Sequence, residues 1–191
     1  DLVRPDGARV GDRVVVTKGP AIEATGLLSI RFESLMRGEV ADDDVAAATD
    51  RFDDVSPVRD ALTAAAAGPV TAMHDATEGG VFGGLVEMAR AAGVGIEIET
   101  DRVPVQPGVR AACEFFGIDP WVAISEGTLL ATVDPAGVED VLDALDREGI
   151  PAADVGAVVE GSGLVADGEA VEPGRDPFWA AFAEHLDRLG G

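Results

Sequence analysis

The sequence predicts an α/β domain, a layered α/β/α arrangement around a mixed sheet, and three observations carry that prediction. Runs of β-branched and apolar residues alternate along the chain with segments of helical periodicity. Glycine, proline or aspartate separates nearly every such pair. Near the end, two short apolar runs at residues 155–159 and 163–166 follow one another across a tight connection. They read as a hairpin, so the sheet is not wholly parallel.

Residues 1–12, with Pro5, Gly7 and Gly11, read as a linker remnant, and residues 13–191 as the domain. Residues 13–17 form a continuous β-branched strand with both faces buried. Gly19-Pro20 ends it, and a helix follows to about Arg37, with Pro20 suited to its first position. The acids Asp42, Asp43 and Asp44 open a second helix, because negative charge favours a helix start. Ser56-Pro57 opens a third, ended by Gly68-Pro69. An apolar run at 69–73 leads through His74-Asp75 into a helix expected from about Glu78 to Ala92, capped by Asp75 or Thr77. Residues 94–99 alternate like a strand with one wet face. A short helix at 107–116 carries Cys113 beside Phe115 and Phe116, which suits a core thiol better than a reactive one. A turn at Asp119-Pro120-Trp121 precedes a buried strand at 128–133, and residues 135–148 form an amphipathic helix. A last helix, 177–189, places His185 on its wet side.

Charge sets the class of partner. The chain carries 36 acidic against 14 basic residues, a formal net charge of −22, and Lys18 is its only lysine. Self-repulsion of that size destabilises a compact state unless salt screens it, which points to a salt-rich cytoplasm and an acidic, halophilic surface. A basic footprint for nucleic acid is missing. No apolar run approaches the roughly 20 residues of a membrane span. One cysteine excludes an internal disulfide. No P-loop or dinucleotide-binding glycine pattern is present. The first residue is Asp1, so the chain reads as a fragment of a longer protein.

The most unusual stretch is His74-Asp75-Ala76-Thr77-Glu78-Gly79-Gly80-Val81-Phe82-Gly83-Gly84. Each glycine inside a helix costs roughly 0.5–1 kcal/mol relative to alanine. Gly79/Gly83 and Gly80/Gly84 bare one side of the helix at two levels. Either another element or a ligand comes close there. A strand, a polar turn and a helix N-terminus also describe an anion site. On the motif alone the two readings carry similar weight.

Three segments together resemble one family: residues 14–26 (Val-Val-Val-Thr-Lys-Gly-Pro-Ala-Ile-Glu-Ala-Thr-Gly), His74 to Gly80, and Asp119-Pro120 followed by Ser125-Glu126-Gly127-Thr128-Leu129-Leu130. With Val155-Gly156-Ala157-Val158 later, the chain is similar to the C-terminal domain of the aminoimidazole ribonucleotide synthetase superfamily from about residue 11 to 159. His-Asp-x-Thr-x-Gly-Gly is nearest to the hydrogenase maturation branch, the carbamoyl-dehydrating factor. The resemblance implies two domains. An N-terminal domain forms a homodimer core and supplies most ATP and magnesium contacts, and the C-terminal domain closes over it with substrate in the cleft. By the same resemblance His74 and Asp75 are catalytic candidates at the cleft mouth. Gly19, Thr77, Gly79 and Gly80 face phosphate or substrate. Lys18, a compact charge in the loop after the first strand, is a candidate for phosphate contact against the ordinary reading of a surface lysine. Glu23 and Glu126 are weaker candidates for phosphate or substrate, and no residue of this chain is assigned to a metal.

The sequence departs from that branch where Glu78 replaces an arginine, Glu23 a histidine, and Lys18 interrupts Thr-Gly-Pro. The maturation factor bears its carbamoyl group on a C-terminal cysteine, whereas this chain ends Arg188-Leu189-Gly190-Gly191. The expectation is therefore an ATP-dependent relative that phosphorylates a small amide or similar substrate, with the isolated domain inactive. The alternative is a nucleotide- or metabolite-binding scaffold that keeps the fold without turnover.

Overall fold

A computed structural model describes residues 2–172 and 174–190. In chain order the elements are β1 (Arg13–Thr17), α1 (Ile22–Met36), α2 (Asp42–Asp50), α3 (Val58–Ala67), β2 (Val70–Ala76), α4 (Gly80–Ala92), β3 (Gly95–Ile98), α5 (Val109–Phe116), β4 (Ser125–Val133), α6 (Val138–Arg147), β5 (Ala152–Val159), β6 (Gly163–Ala166), β7 (Glu169–Val171) and α7 (Phe178–Gly190). The strands form one seven-stranded sheet in the order β2-β4-β1-β5-β3-β6-β7. Every pairing is antiparallel except β3 with β6, so the sheet is mixed, as expected.

The layers follow from strand alternation. Val14 and Val16 of β1 and Leu130 of β4 turn to the face covered by α4, where Val81, Leu85 and Met88 meet them. Val15, Leu129, Ala131 and Val133 turn to the opposite face, beneath α3 and α6, against Ala64, Val141 and Leu145. A strand covered on both faces reads as a near-continuous apolar run, which is the pattern of Val14-Val15-Val16 in β1 and of Leu129-Leu130-Ala131 in β4. In β3, Ile96 and Ile98 join the α4 side while Glu97 is exposed, so the α3/α6 layer stops short of this strand. A second cluster, around Leu28, Phe32, Val109, Phe116 and Phe178, joins α1, α2, α5 and α7. Among the described residues no helix is long and apolar enough to cross a membrane.

Four expectations are corrected. The 155–166 region is not a hairpin, because β3 lies between β5 and β6. Gly95 faces Val159 on one side and Gly163 on the other, and a Cβ there would come within 2.9 Å of Val159 and 3.3 Å of the Glu160 carbonyl, so the three linking residues step across a bare backbone. The hairpin is β6–β7, turned at Asp167-Gly168 with φ of +53° and +84°. The 69–73 run extends as strand through Ala76, and α4 begins only at Gly80. His185 is buried, 2% exposed, not wet. It lies two helical turns after Phe178 and one after Ala181, which face the core, and it packs against Phe32, Phe115 and Phe116 while Nδ1 lies 2.9 Å from the Ala181 carbonyl. Cys113 is buried as expected, and desolvation pushes its thiol up to about 12.

The segment expected as a linker packs onto the sheet. Asp12, 4% exposed, accepts from the Arg9 N–H at 2.9 Å and the Thr71 hydroxyl at 2.6 Å. Gly11 N–H donates to Val158, and Val158 N–H donates to Asp12. A Cβ on Gly7 would lie 2.0 Å from the Thr71 carbonyl. Gly7→Ala is expected to lower stability by about 1–3 kcal/mol in urea denaturation, where a linker residue would change nothing.

Candidate functional site

The turn from β1 into α1 is built from residues 17–21, and Lys18, Gly19 and Ala21 all have positive φ, at 56°, 97° and 56°. Ala21, in the left-handed region, is the residue before the helix, so Pro20 falls outside it. Only glycine fits at 19, since a Cβ would lie 1.7 Å from the Pro104 carbonyl. The strain is held by hydroxyls of β4. Thr128 and Ser125 donate to the Gly19 carbonyl at 2.5 and 3.3 Å, and Ser125 Oγ accepts from the Ile22 N–H. Lys18 is 7% exposed, and its ammonium donates to the Asp54 and Ser56 carbonyls, both at 3.0 Å, with Asp60 Oδ2 at 3.3 Å. Asp60, 2% exposed, also accepts from Thr17 Oγ1 at 2.6 Å. All three ammonium protons thus have partners inside the protein.

His74 and Asp75 lie near the end of edge strand β2. His74 Nδ1 faces Asp75 Oδ1 at 3.0 Å and Nε2 faces Glu87 Oε2 at 2.8 Å. Only the doubly protonated ring donates to both carboxylates at once. Neither Asp75 nor Thr77 caps α4. The cap position is Gly79 with φ of +78°, a geometry that leaves no side-chain cap, and the Thr77 carbonyl accepts from the Gly80 N–H. The glycine stripe is pressed mainly against the chain itself. A Cβ on Gly80 would lie 2.5 Å from the Ala123 carbonyl and 2.9 Å from that of Trp121, and one on Gly84 would lie 2.5 Å from Leu130.

Two helix N-termini meet at residues 121–126. Ala24 N–H donates to Ile124, and Phe82 N–H to Trp121. Three carboxylates gather there: Glu23, which accepts from Glu126 N–H at 3.4 Å, Glu126 itself, and Asp176, which accepts from Gly79 N–H at 3.1 Å. Beside them opens a cleft of about 930 Å³, lined by Gly79, Gly83, Glu87, Arg90, Arg175 and Trp179 among others. Its walls carry Glu78, Glu87, Glu172 and Asp176 against Arg90 and Arg175. A polyphosphate fits such a lining only with a compensating cation or with basic groups from another domain. Among the described residues no group of three His, Cys, Asp or Glu side chains is placed to hold a metal ion.

The structure brings Gly79, Gly80, Glu126 and, through Glu87, His74 and Asp75 to this end of the molecule. Lys18 and Gly19 instead serve the β1–α1 turn. Glu87 and Asp176 are missed by the sequence reading. Glu87 carried a signal, being four residues after Gly83 on the bared helix side. Asp176, 97 residues from Gly79, carried none.

A family model described as "AIR synthase related protein, C-terminal domain" matches residues 9–169, and the chain belongs to that family. It is 33% identical over 159 residues to the carbamoyl dehydratase HypE of Rhizobium leguminosarum bv. viciae, covering 82% of this chain and 43% of that protein. The crystal structure of Escherichia coli HypE, a hydrogenase maturation protein, superposes with a TM-score of 0.72 at 28% identity, covering 91% of this chain and 53% of that one. A HypE solved in complex with ATP shares the fold, with a TM-score of 0.66 at 22% identity over 91% of this chain and 53% of that one. The chain spans about half the length of these relatives.

Two outcomes check this geometry. Lys18→Met strands the buried Asp60 carboxylate and is expected to cost about 3–5 kcal/mol, partly recovered by Asp60→Asn in the same chain, read by chemical denaturation. Burial raises the Glu23 carboxyl above its usual range; the Glu126 N–H offsets this in part, and the charges of Glu126 and Asp176 add to it. The folded state then holds that proton more tightly than the unfolded chain, so the contribution favours folding at acid pH and is lost as pH rises through the raised value. Glu23→Gln is expected to raise the thermal midpoint at pH 7 and to leave it unchanged below about pH 4.

Proposed function

We propose that this chain is the phosphate-facing C-terminal half of an ATP-dependent enzyme related to the hydrogenase maturation factor, one that activates a small amide or similar substrate by phosphorylation. The observation that carries the reading is the His74 ring, held between Asp75 and Glu87, of which Glu87 is itself a wall of the cleft on which the glycine-rich start of α4 opens. In the proposed reaction an amide-type oxygen attacks the terminal phosphorus of ATP. The new O–P bond forms as the bond to ADP breaks, and collapse of the phosphorylated intermediate releases inorganic phosphate. Such chemistry needs positioning and charge neutralisation more than a covalent nucleophile. His74 supplies a proton or a donor to phosphate. Gly79 and Gly80 let main chain approach the anion, with Thr77 and Glu126 beside it. Magnesium and most nucleotide contacts come from an N-terminal half of the same protein, in a cytoplasmic homodimer whose acidic surface suits high salt.

The HypE solved with ATP supports a nucleotide as ligand of this fold. The excess of carboxylates over arginines on the cleft walls favours a second reading, a binding domain without turnover. Expressed from its full reading frame, the protein is expected to hydrolyse ATP, with His74→Ala at least tenfold slower and its melting temperature unchanged. An active His74→Ala variant overturns the catalytic role, and binding without hydrolysis favours the scaffold.

A further inference from the structure

We infer that residues 174–177 are a built-in competitor for the phosphate corner: the Asp176 carboxylate holds the Gly79 main-chain N–H that a phosphate oxygen would take. This inference rests on the proposed phosphate-facing role of Gly79 and Gly80. One carboxylate does two things. Oδ2 accepts from Gly79 N–H at 3.1 Å, and Oδ1 accepts from Phe178 N–H at 2.9 Å, capping the start of α7. The same short segment forms a wall of the cleft, with Gly174, Arg175 and Asp176 opposite Glu78, Gly79 and Gly83.

Charge strengthens the competition. An oxyanion on Gly79 would meet Asp176 directly and lie near Glu23 and Glu126, so the corner repels phosphate while the carboxylate is in place. Withdrawing Asp176 frees a donor and removes one negative charge in the same movement. The parts that flank the segment are firm on one side. Phe178, 3% exposed, and Ala181, 5% exposed, anchor α7 in the core formed with Phe32 and Phe116, so movement is confined to the link before them. That link and α7 lie beyond residue 169, where the family match ends. Opening exchanges one anion for another on the same N–H, and a substrate phosphate with its cation drives it by differential affinity.

The test is a titration of the 191-residue chain with inorganic pyrophosphate in the presence of magnesium, following the Gly79 amide by ¹⁵N NMR. Asp176→Ala is expected to bind at least tenfold more tightly than the parent chain, with the Gly79 resonance shifting. Asp176→Asn keeps one oxygen, enough to cap the Phe178 N–H, but sets an amide NH2 where Oδ2 met the Gly79 N–H and loses the charge, and is expected to fall between them. It decides the matter alone if the alanine variant loses the α7 cap and unfolds. Equal affinities, with the Gly79 amide moving in each protein, overturn the competitor and leave the phosphate corner standing. A Gly79 amide that moves in none of them overturns both.

Discussion

A single buried ammonium group ties together the end of the molecule on which the site depends. Lys18 leaves β1 in a left-handed conformation and sends its three protons to one carboxylate and two main-chain carbonyls. Arginine is the chain's ordinary cation, but its planar fork does not match three acceptors converging on one point, and lysine does. The partners Asp54 and Ser56 belong to the stretch leading into α3, and the Asp54 carbonyl lies so close to Gly127 that a Cβ there would come within 2.2 Å. The lead-in to α3, the start of β4 and the β1–α1 turn therefore move as one piece. The position of the α1 N-terminus, and with it Glu23, is inherited from that lock.

At the cleft the physics is a contest of like and unlike charges. Two helix starts bring partial positive charge to residues 121–126, each equivalent to roughly half an elementary charge. Glu23, Glu126 and Asp176 more than balance it, and Glu23 responds by holding its proton above the ordinary carboxylate range. An end of a protein arranged in this way is poorly suited to a lone anion and well suited to one that arrives with a cation. A phosphate already paired with a divalent cation meets that condition. The glycine stripe has a plainer explanation than the motif suggested, because Gly80 and Gly84 are small chiefly to admit the Ala123 carbonyl and Leu130.

Legibility in the sequence tracked the range of the interaction. The apolar centres of β1 and β4 announced burial on both faces, and Glu97 announced a bare face of β3. Local rules could not place β6, because its partner β3 lies 68 residues earlier and slips between two runs that look like neighbours. His185 was readable in principle from its spacing to Phe178 and Ala181, but its polarity outweighed its phase. The sequence could not say whether the α4 glycines faced a ligand or the chain, since the carbonyls that press on Gly80 come from about 40 residues away. Asp176 was wholly illegible for the same reason. Lys18 was conspicuous only for being alone, and its rarity pointed to phosphate when its geometry belonged to the interior.

That solitude has a practical side. With no other ε-amine in the sequence, side-chain acylation can occur only where the β1–α1 turn has come apart. The speed at which an amine-directed reagent marks position 18 is then a clock for how often this corner of the fold breathes, and the buried thiol at Cys113 offers an independent clock on the α1/α5 side.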